Sequence, residues 1–461
     1  MKVNGLKKVF LLLLLCLLCA GAKAWAEEKP YIVKLNHAVQ LFADGPVRKS
    51  QQFVAVSEEE LAEYLDAGMV QTYFPNAMVE LYGEQWNLDY IQAGFPERVG
   101  CLGQEVKVAV IDSGLQELDN LKDCVLEGYN FLAEDTGGDT TDTTDKVGHG
   151  TFVSGIIASD TYGIAKNCKL IPLKCFDSKT GNLLYVLYAL YDAVDVYNAD
   201  VINMSVGFMD DPTATGYDEE LMKAMIEEID KAVQYATDKG AIVVAAAGNN
   251  GVSYISYPAG SPGTIGVSAI AKNGAWCSFS QYNNSVFIAA PGAELKSTSI
   301  TGYTSNGGTS FATPHVTAMA AIAKSMDKKI TTDEFKTVLK NTATDAGTTG
   351  YDVYYGHGVL NCEAATKALM GKEKVYISPI VTTESGSYVT IYNHSEEELT
   401  VECLFAANGG LGNAFYSNRE QKTLASGDVF SFGNIKKSGL LRYMVWNNLT
   451  AVQPLAISRE K

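Results

Sequence analysis

Short apolar runs alternate with stretches of helical character from residue 83 to about 370, and that alternation is the tightest constraint on this chain. The runs Val106-Lys107-Val108-Ala109-Val110-Ile111 and Ile242-Val243-Val244-Ala245-Ala246-Ala247 are apolar at nearly every position. Such strands must be covered on both faces, which is the condition inside a parallel sheet. Strands that alternate with helices give an α/β domain, a parallel sheet flanked by helices. A chain of 461 residues that is 47% hydrophobic can build that core and smaller units beside it. Residues 27–82 form one such unit, of α+β type. Tyr31 to Leu35 alternates like a strand, Ser57 with Glu60 three residues later opens a helix, and Val70 to Leu81 returns to strand. Residues 371–461 form another, an all-β module with period-two runs such as Tyr388 to Tyr392, broken by Gly, Asn and Ser.

Residues 1–26 fit none of these units. Lys2, Lys7 and Lys8 precede an apolar run from Val9 to Ala20, and small residues follow at Ala22, Ala24 and Ala26. This is the pattern of a secretory signal peptide, and the run is shorter than the ~20 residues of a membrane span. No later stretch is apolar enough to cross a bilayer, so a secreted, extracellular protein is expected. The net charge is −17, and losing the signal removes Lys2, Lys7, Lys8 and Lys23 but no acid. So acidic a surface repels nucleic acid and anionic lipid. Seven cysteines remain beyond Cys16 and Cys19: Cys101, Cys124, Cys168, Cys175, Cys277, Cys362 and Cys403. An odd set cannot pair completely. Cys101 with Cys124, or Cys168 with Cys175, could be bridged; the alternative is small buried hydrophobes.

Four segments carry polar residues in places suited to chemistry. Asp112 ends the Val-rich strand and is followed by Ser113-Gly114. Function gathers at that edge of an α/β sheet, although an Asp there also caps turns. His149 lies in Gly148-His149-Gly150-Thr151, ahead of a helix of small and apolar residues, and the glycines allow close approach to the imidazole. Ser310 lies in Gly307-Gly308-Thr309-Ser310 at a helix start, where backbone N–H groups favour developing negative charge. Pro314 is expected in the first turn of that helix. Asn249 follows the strand Ile242 to Ala247 through Gly248, and its amide can donate to an oxyanion. A second Gly-His-Gly, at His357, has no such helix behind it and reads as structural.

The order Asp112, His149, Asn249, Ser310 resembles that of subtilisin-like serine proteases. The resemblance runs from about Glu84 to Leu369 and includes Ile202 to Gly207 and Ala290-Pro291-Gly292. It implies a serine endopeptidase acting on protein or peptide substrates, with Asp112, His149 and Ser310 as triad and Asn249 as oxyanion donor. It further implies that Ser205, Val206 and Gly207 pair with the substrate backbone, and that Ala246, Ala247 and Gly248 line the pocket for the residue before the cut. Residues 27–82 resemble the family's inhibitor-like prodomain, which implies self-processing somewhere within Ala77 to Trp86, the propeptide being a partner of its own enzyme. No cofactor is required, no metal is assigned to the site, and a monomer is expected. There are departures from the pattern. Phe152 stands where a second His is usual, Ser256 stands where a pocket base often has Gly, and the loop Ser159 to Ile164 lacks the usual calcium insertion. The loop from Asp135 to Asp145 offers Asp139, Asp142 and Asp145 to a structural calcium ion, but their spacing matches no defined oxygen cage and a solvated loop is the alternative. Two other functions remain open on sequence alone. One is an inactive binder on the same fold; the other is a C-terminal module that anchors to cell wall or glycan.

Overall fold

The protein is described by a computed structural model over residues 31–35, 53–75, 85–371, 374–383, 386–408, 415–435, 441–446 and 459–460. The signal segment and residues 76–84, which hold most of the expected processing stretch, lie outside the described residues. The chain divides into two units after Glu84.

The first unit contains β1 (Tyr31–Leu35), β2 (Phe53–Val56), α1 (Glu58–Asp66) and β3 (Val70–Pro75). The strands form an antiparallel sheet in the order β2-β1-β3. Ser57 and Glu60 make the expected reciprocal cap: the Ser57 hydroxyl accepts from Glu60 N, and the Glu60 carboxylate accepts from Ser57 N. Val33, Val56 and Leu61 form its small core.

The second unit opens with α2 (Trp86–Tyr90), α3 (Gly94–Arg98), β4 (Lys107–Asp112), β5 (Tyr129–Asn130), α4 (Leu132–Thr136), α5 (His149–Ala158) and β6 (Lys169–Lys174). It continues through α6 (Leu183–Asp195), β7 (Val201–Met204), β8 (Phe208–Met209), α7 (Pro212–Thr215), α8 (Glu219–Asp238), β9 (Ile242–Ala246), β10 (Ser256–Tyr257) and β11 (Thr264–Ile270). Then come β12 (Val286–Pro291), β13 (Leu295–Ser299), β14 (Gly302–Asn306), α9 (Thr309–Met326), α10 (Thr332–Thr342) and α11 (Cys362–Met370). Seven strands form one sheet, ordered β12-β11-β9-β7-β4-β6-β5, and every pairing is parallel. Alternation along the strands makes three layers. Val108 and Val110 face a core built with α5 and α9, whereas Ala109 and Ile111 face a core built with α6 and α8.

The C-terminal part is all-β, as expected. Strands β15 (Val375–Ile377), β16 (Val381–Thr383), β17 (Gly386–Asn393) and β20 (Val429–Ile435) form one antiparallel sheet. The other sheet is β19 (Phe415–Leu424), β18 (Leu399–Asn408), β21 (Leu441–Trp446) and β22 (Arg459–Glu460). Val375, Ile377, Val389, Ile391, Val401 and Phe432 are among its core residues. It is no separate body, however, since it belongs to the same compact unit as the large sheet. Tyr392 packs edge-on against Phe95 of α3, with ring centroids 5.7 Å apart. The Cys101 sulfur lies 3.3 Å from the Tyr376 hydroxyl. All seven cysteines are buried free thiols, so neither suggested bridge is formed.

Candidate active site

β4 marks the point where strand order turns, with β6 and β5 on one side and β7 and β9 on the other. A crevice opens at the carboxyl ends of strands at such a point. Asp112 ends β4, Ser205 to Gly207 follow β7, and Ala247 to Asn249 follow β9. Asp112 is 1% exposed. Its Oδ1 accepts from Ser113 N at 2.7 Å and lies 2.8 Å from His149 Nδ1, while Oδ2 is 3.0 Å from the same nitrogen.

His149 begins α5. A Cβ on Gly150 would lie 2.2 Å from Gly114 O and 3.1 Å from Asp112 Oδ1, so only glycine lets the two segments meet. The first turn of α5 is held by Asp145, which accepts from Val147 N, Gly148 N, Thr151 N, the Thr151 hydroxyl and the Ser113 hydroxyl. Burial works against the Asp145 carboxylate, but these donors hold its pKa below the usual value. One face of the imidazole meets Phe311, at 5.2 Å between centroids, and Phe311 packs on the buried Phe152 at 4.5 Å. Burial alone would lower the His149 pKa. The charge and hydrogen bond of Asp112, with Asp145 behind, outweigh burial and raise it.

Ser310 is the second residue of α9, with Gly308 as cap. Pro314 falls one turn later than expected, inside the helix. It has no N–H for the Ser310 carbonyl four residues back. The Ser205 hydroxyl fills that vacancy, donating to Ser310 O at 2.7 Å, and the Ser310 hydroxyl donates to Ser205 O at 3.0 Å. Asn203 Nδ2 donates to the Ser205 hydroxyl, and Thr317 donates to Asn203 Oδ1, so the serine is tied to β7. His149 Nε2 has no hydrogen-bond partner among the described residues; apo sites are often this loose. Asn249 Oδ1 accepts from Thr309 N at 2.7 Å and from the Thr309 hydroxyl at 3.0 Å. That fixes the amide orientation, and its N–H₂ and the Ser310 N–H both stand without partners among the described residues.

Gly248 has φ +108, and a Cβ there would sit 1.7 Å from Gln281 Oε1. Ser256 Oγ lies 2.7 Å from where a Gly207 Cβ would be, and β10 pairs with β8 beside it. Gly207 and Ser256 are thus in close contact, and a side chain at Gly207 would collide with the Ser256 hydroxyl. His357 lies elsewhere, against Phe287 and Tyr351. Asp139 and Asp142 close their own turns onto Thr141 and Thr144, and no carboxylate cluster fit for a metal occurs among the described residues. Sequence reading missed Ser113, Thr309, Phe311 and Gln281 as parts of the site, and Asp145 as the holder of α5. Only Lys174, a charge closing an apolar strand, carried a visible signal.

The profile of the Subtilase family matches residues 103–358, more than half of the chain. The chain belongs to the subtilase family. This subtilase is 35% identical to an alkaline protease of Alkalihalobacillus alcalophilus over 350 residues, covering 74% of this chain and 84% of that protein. It is 34% identical to subtilisin BL of Lederbergia lenta over 288 residues, covering 61% and 98%. Among solved structures it is similar to a protease of Pseudoalteromonas arctica, at 27% identity and TM-score 0.52, covering 62% and 96%. The subtilase is accordingly a serine-type endopeptidase with the subtilisin-like fold, and its substrates are proteins or peptides. No helix among its described residues is long and apolar enough to cross a membrane.

Proposed function

We propose that this subtilase is secreted as a proenzyme, processes itself, and cuts peptide bonds with Asp112, His149 and Ser310 as its triad. One observation carries the triad: His149 Nδ1 is bonded to the buried Asp112 carboxylate, which places the proton on Nδ1 and leaves Nε2 as a base. The Ser310 hydroxyl turns from Ser205 O towards Nε2 when substrate arrives. Its Oγ attacks the carbonyl carbon as its proton passes to His149. The imidazolium then protonates the leaving amine, and water repeats the sequence on the acyl-enzyme. The unpaired donors of Asn249 and Ser310 N receive the oxyanion, a contact that exists mainly in the transition state. The substrate backbone adds as a strand along Ser205, Val206 and Gly207, and the side chain before the cut enters between Ala247, Gly248 and Ser256. The enzyme acts as a monomer and needs no cofactor.

Support for export is the basic, apolar and small-residue pattern of residues 1–26. Support for a propeptide is the separate unit ending at Glu84, with its own core. The test compares the secreted mass of wild type with that of Ser310→Ala in a host lacking other extracellular proteases. Wild type should lose residues 27 to about 82, and the variant should keep them. Normal maturation of the variant would show that another protease makes the cut.

A further inference from the structure

A lysine is buried directly behind the site. Lys174 is 3% exposed at the end of β6, opposite Asp112 in the parallel register. Its ammonium makes no contact ion pair among the described residues. It donates to Ser113 O at 2.6 Å and to Thr144 O at 3.0 Å. These two carbonyls belong to different segments. Ser113 follows Asp112, whereas Thr144 precedes Asp145, which holds the first turn of α5 and so His149. The segments also meet through small groups: Leu115 N donates to Thr143 O at 2.9 Å, Ser113 Oγ bonds to Asp145 and Gly150 N, and Gln116 N donates to the Thr151 hydroxyl.

We propose that Lys174 is a positioning residue whose ammonium clips the segment after Asp112 to the segment before His149, setting the aspartate–imidazole contact. This rests on the triad proposed above. A buried ammonium is costly to desolvate, and a methionine of similar volume would fill the space without that penalty. Neither accepting carbonyl belongs to a helix or a sheet ladder, and each would be left without this donor. Burial pulls the amine's pKa down, and it is opposed by Asp145; Lys146 also lowers it, and Asp142 and Asp177 raise it. The balance lies below the usual lysine value, with burial as the largest cause.

The test uses the matured enzyme and Lys174→Met, with Lys174→Arg as the conservative partner. A loosened contact should lower kcat about tenfold to a hundredfold with KM within about twofold, since small misplacements of catalytic groups act on turnover. The acid limb of the pH profile should also move down, because Asp112 is what raises His149. Lys174→Arg should recover both. A lower melting temperature with wild-type kcat and acid limb would overturn the proposal and leave Lys174 as packing alone. If Lys174→Met does not fold, Lys174→Ala, which also lacks the donor and carries less bulk, is read in the same way; failure of both to fold would overturn positioning in favour of a folding role. Asp112→Ala and His149→Ala are measured alongside. If either retains full activity the triad itself is wrong, an outcome distinct from failure of the clip.

Discussion

At the residue scale, the site is a set of bonds that leave the right atoms unpaired. Asn249 commits its oxygen to Thr309, and its N–H₂ has no partner among the described residues. Replacing Asn249 by Leu should lower kcat about 10²–10³-fold with little change in KM, the magnitude being that known for the corresponding amide of subtilisin, the type example of this effect. A change confined to KM would deny it the oxyanion. The raised His149 pKa gives a signed pH dependence. The base must be neutral, so kcat/KM should rise with pH through an apparent pKa above 6.5. In Asp112→Asn the opposing burial is no longer outweighed, and the remaining activity should have its acid limb at lower pH. Steady-state rates with one peptide substrate from pH 5 to 9 would check both. The four principal residues could be picked out as a set: each alone has an ordinary structural use, but the order Asp112, His149, Asn249, Ser310 within these motifs is specific. Ser113 and Thr309 could not, because an ordinary hydroxyl beside Asp112 or Ser310 looks like any other until its partner, 32 to 60 residues away, is in place.

Elements explain how these atoms keep their positions. Strand and helix types followed from apolar spacing, but the place of Pro314 did not. Its helix starts at Thr309, so the proline lies in the second turn, and its missing N–H is matched by Ser205 from a different strand. Asp145, read from sequence as a loop acid, is the anchor of α5. Asp145→Asn would put an amide N–H₂ against N–H and O–H donors. It should cost about 3 kcal/mol in denaturant unfolding at pH 7 and lower kcat. A second anchor lies in α9, where fully buried His315 accepts from Asn87 of α2 at 2.9 Å through Nε2 and donates to Phe311 O. Burial depresses its pKa to about 4. The folded state then binds fewer protons than the unfolded one. The resulting stability is complete above about 6.5 and declines as pH falls towards 4. Wild type should lose about 2 kcal/mol between pH 7 and pH 5 from this group, and His315→Gln should show a flatter dependence. Equal slopes would remove His315 from the acid response.

At the scale of the whole molecule, the alternation of strand and helix fixed the central sheet in advance, and period two gave the β-module. What sequence could not show was how the module attaches. Phe95, Val99 and Cys101 are buried where Tyr376 and Tyr392 join the main core, and a Cβ on Gly100 would lie 2.6 Å from Thr390 Oγ1. Such contacts join residues far apart in the chain, and no local pattern encodes them. Ending the chain after residue 371 should therefore destabilise the peptidase by on the order of 4 kcal/mol, read as a lower melting temperature. An unchanged melting temperature would make the module an appendage. The proposal that unites all three scales is a single nucleophile at Ser310, and its most direct measurement is covalent. The matured enzyme is treated with a serine-reactive phosphonate and the adduct is located by peptide mass spectrometry. One adduct on Ser310, formed in step with loss of hydrolysis and absent from His149→Ala, is the expected result. An adduct on another serine, or full inactivation with Ser310 unmodified, would contradict it.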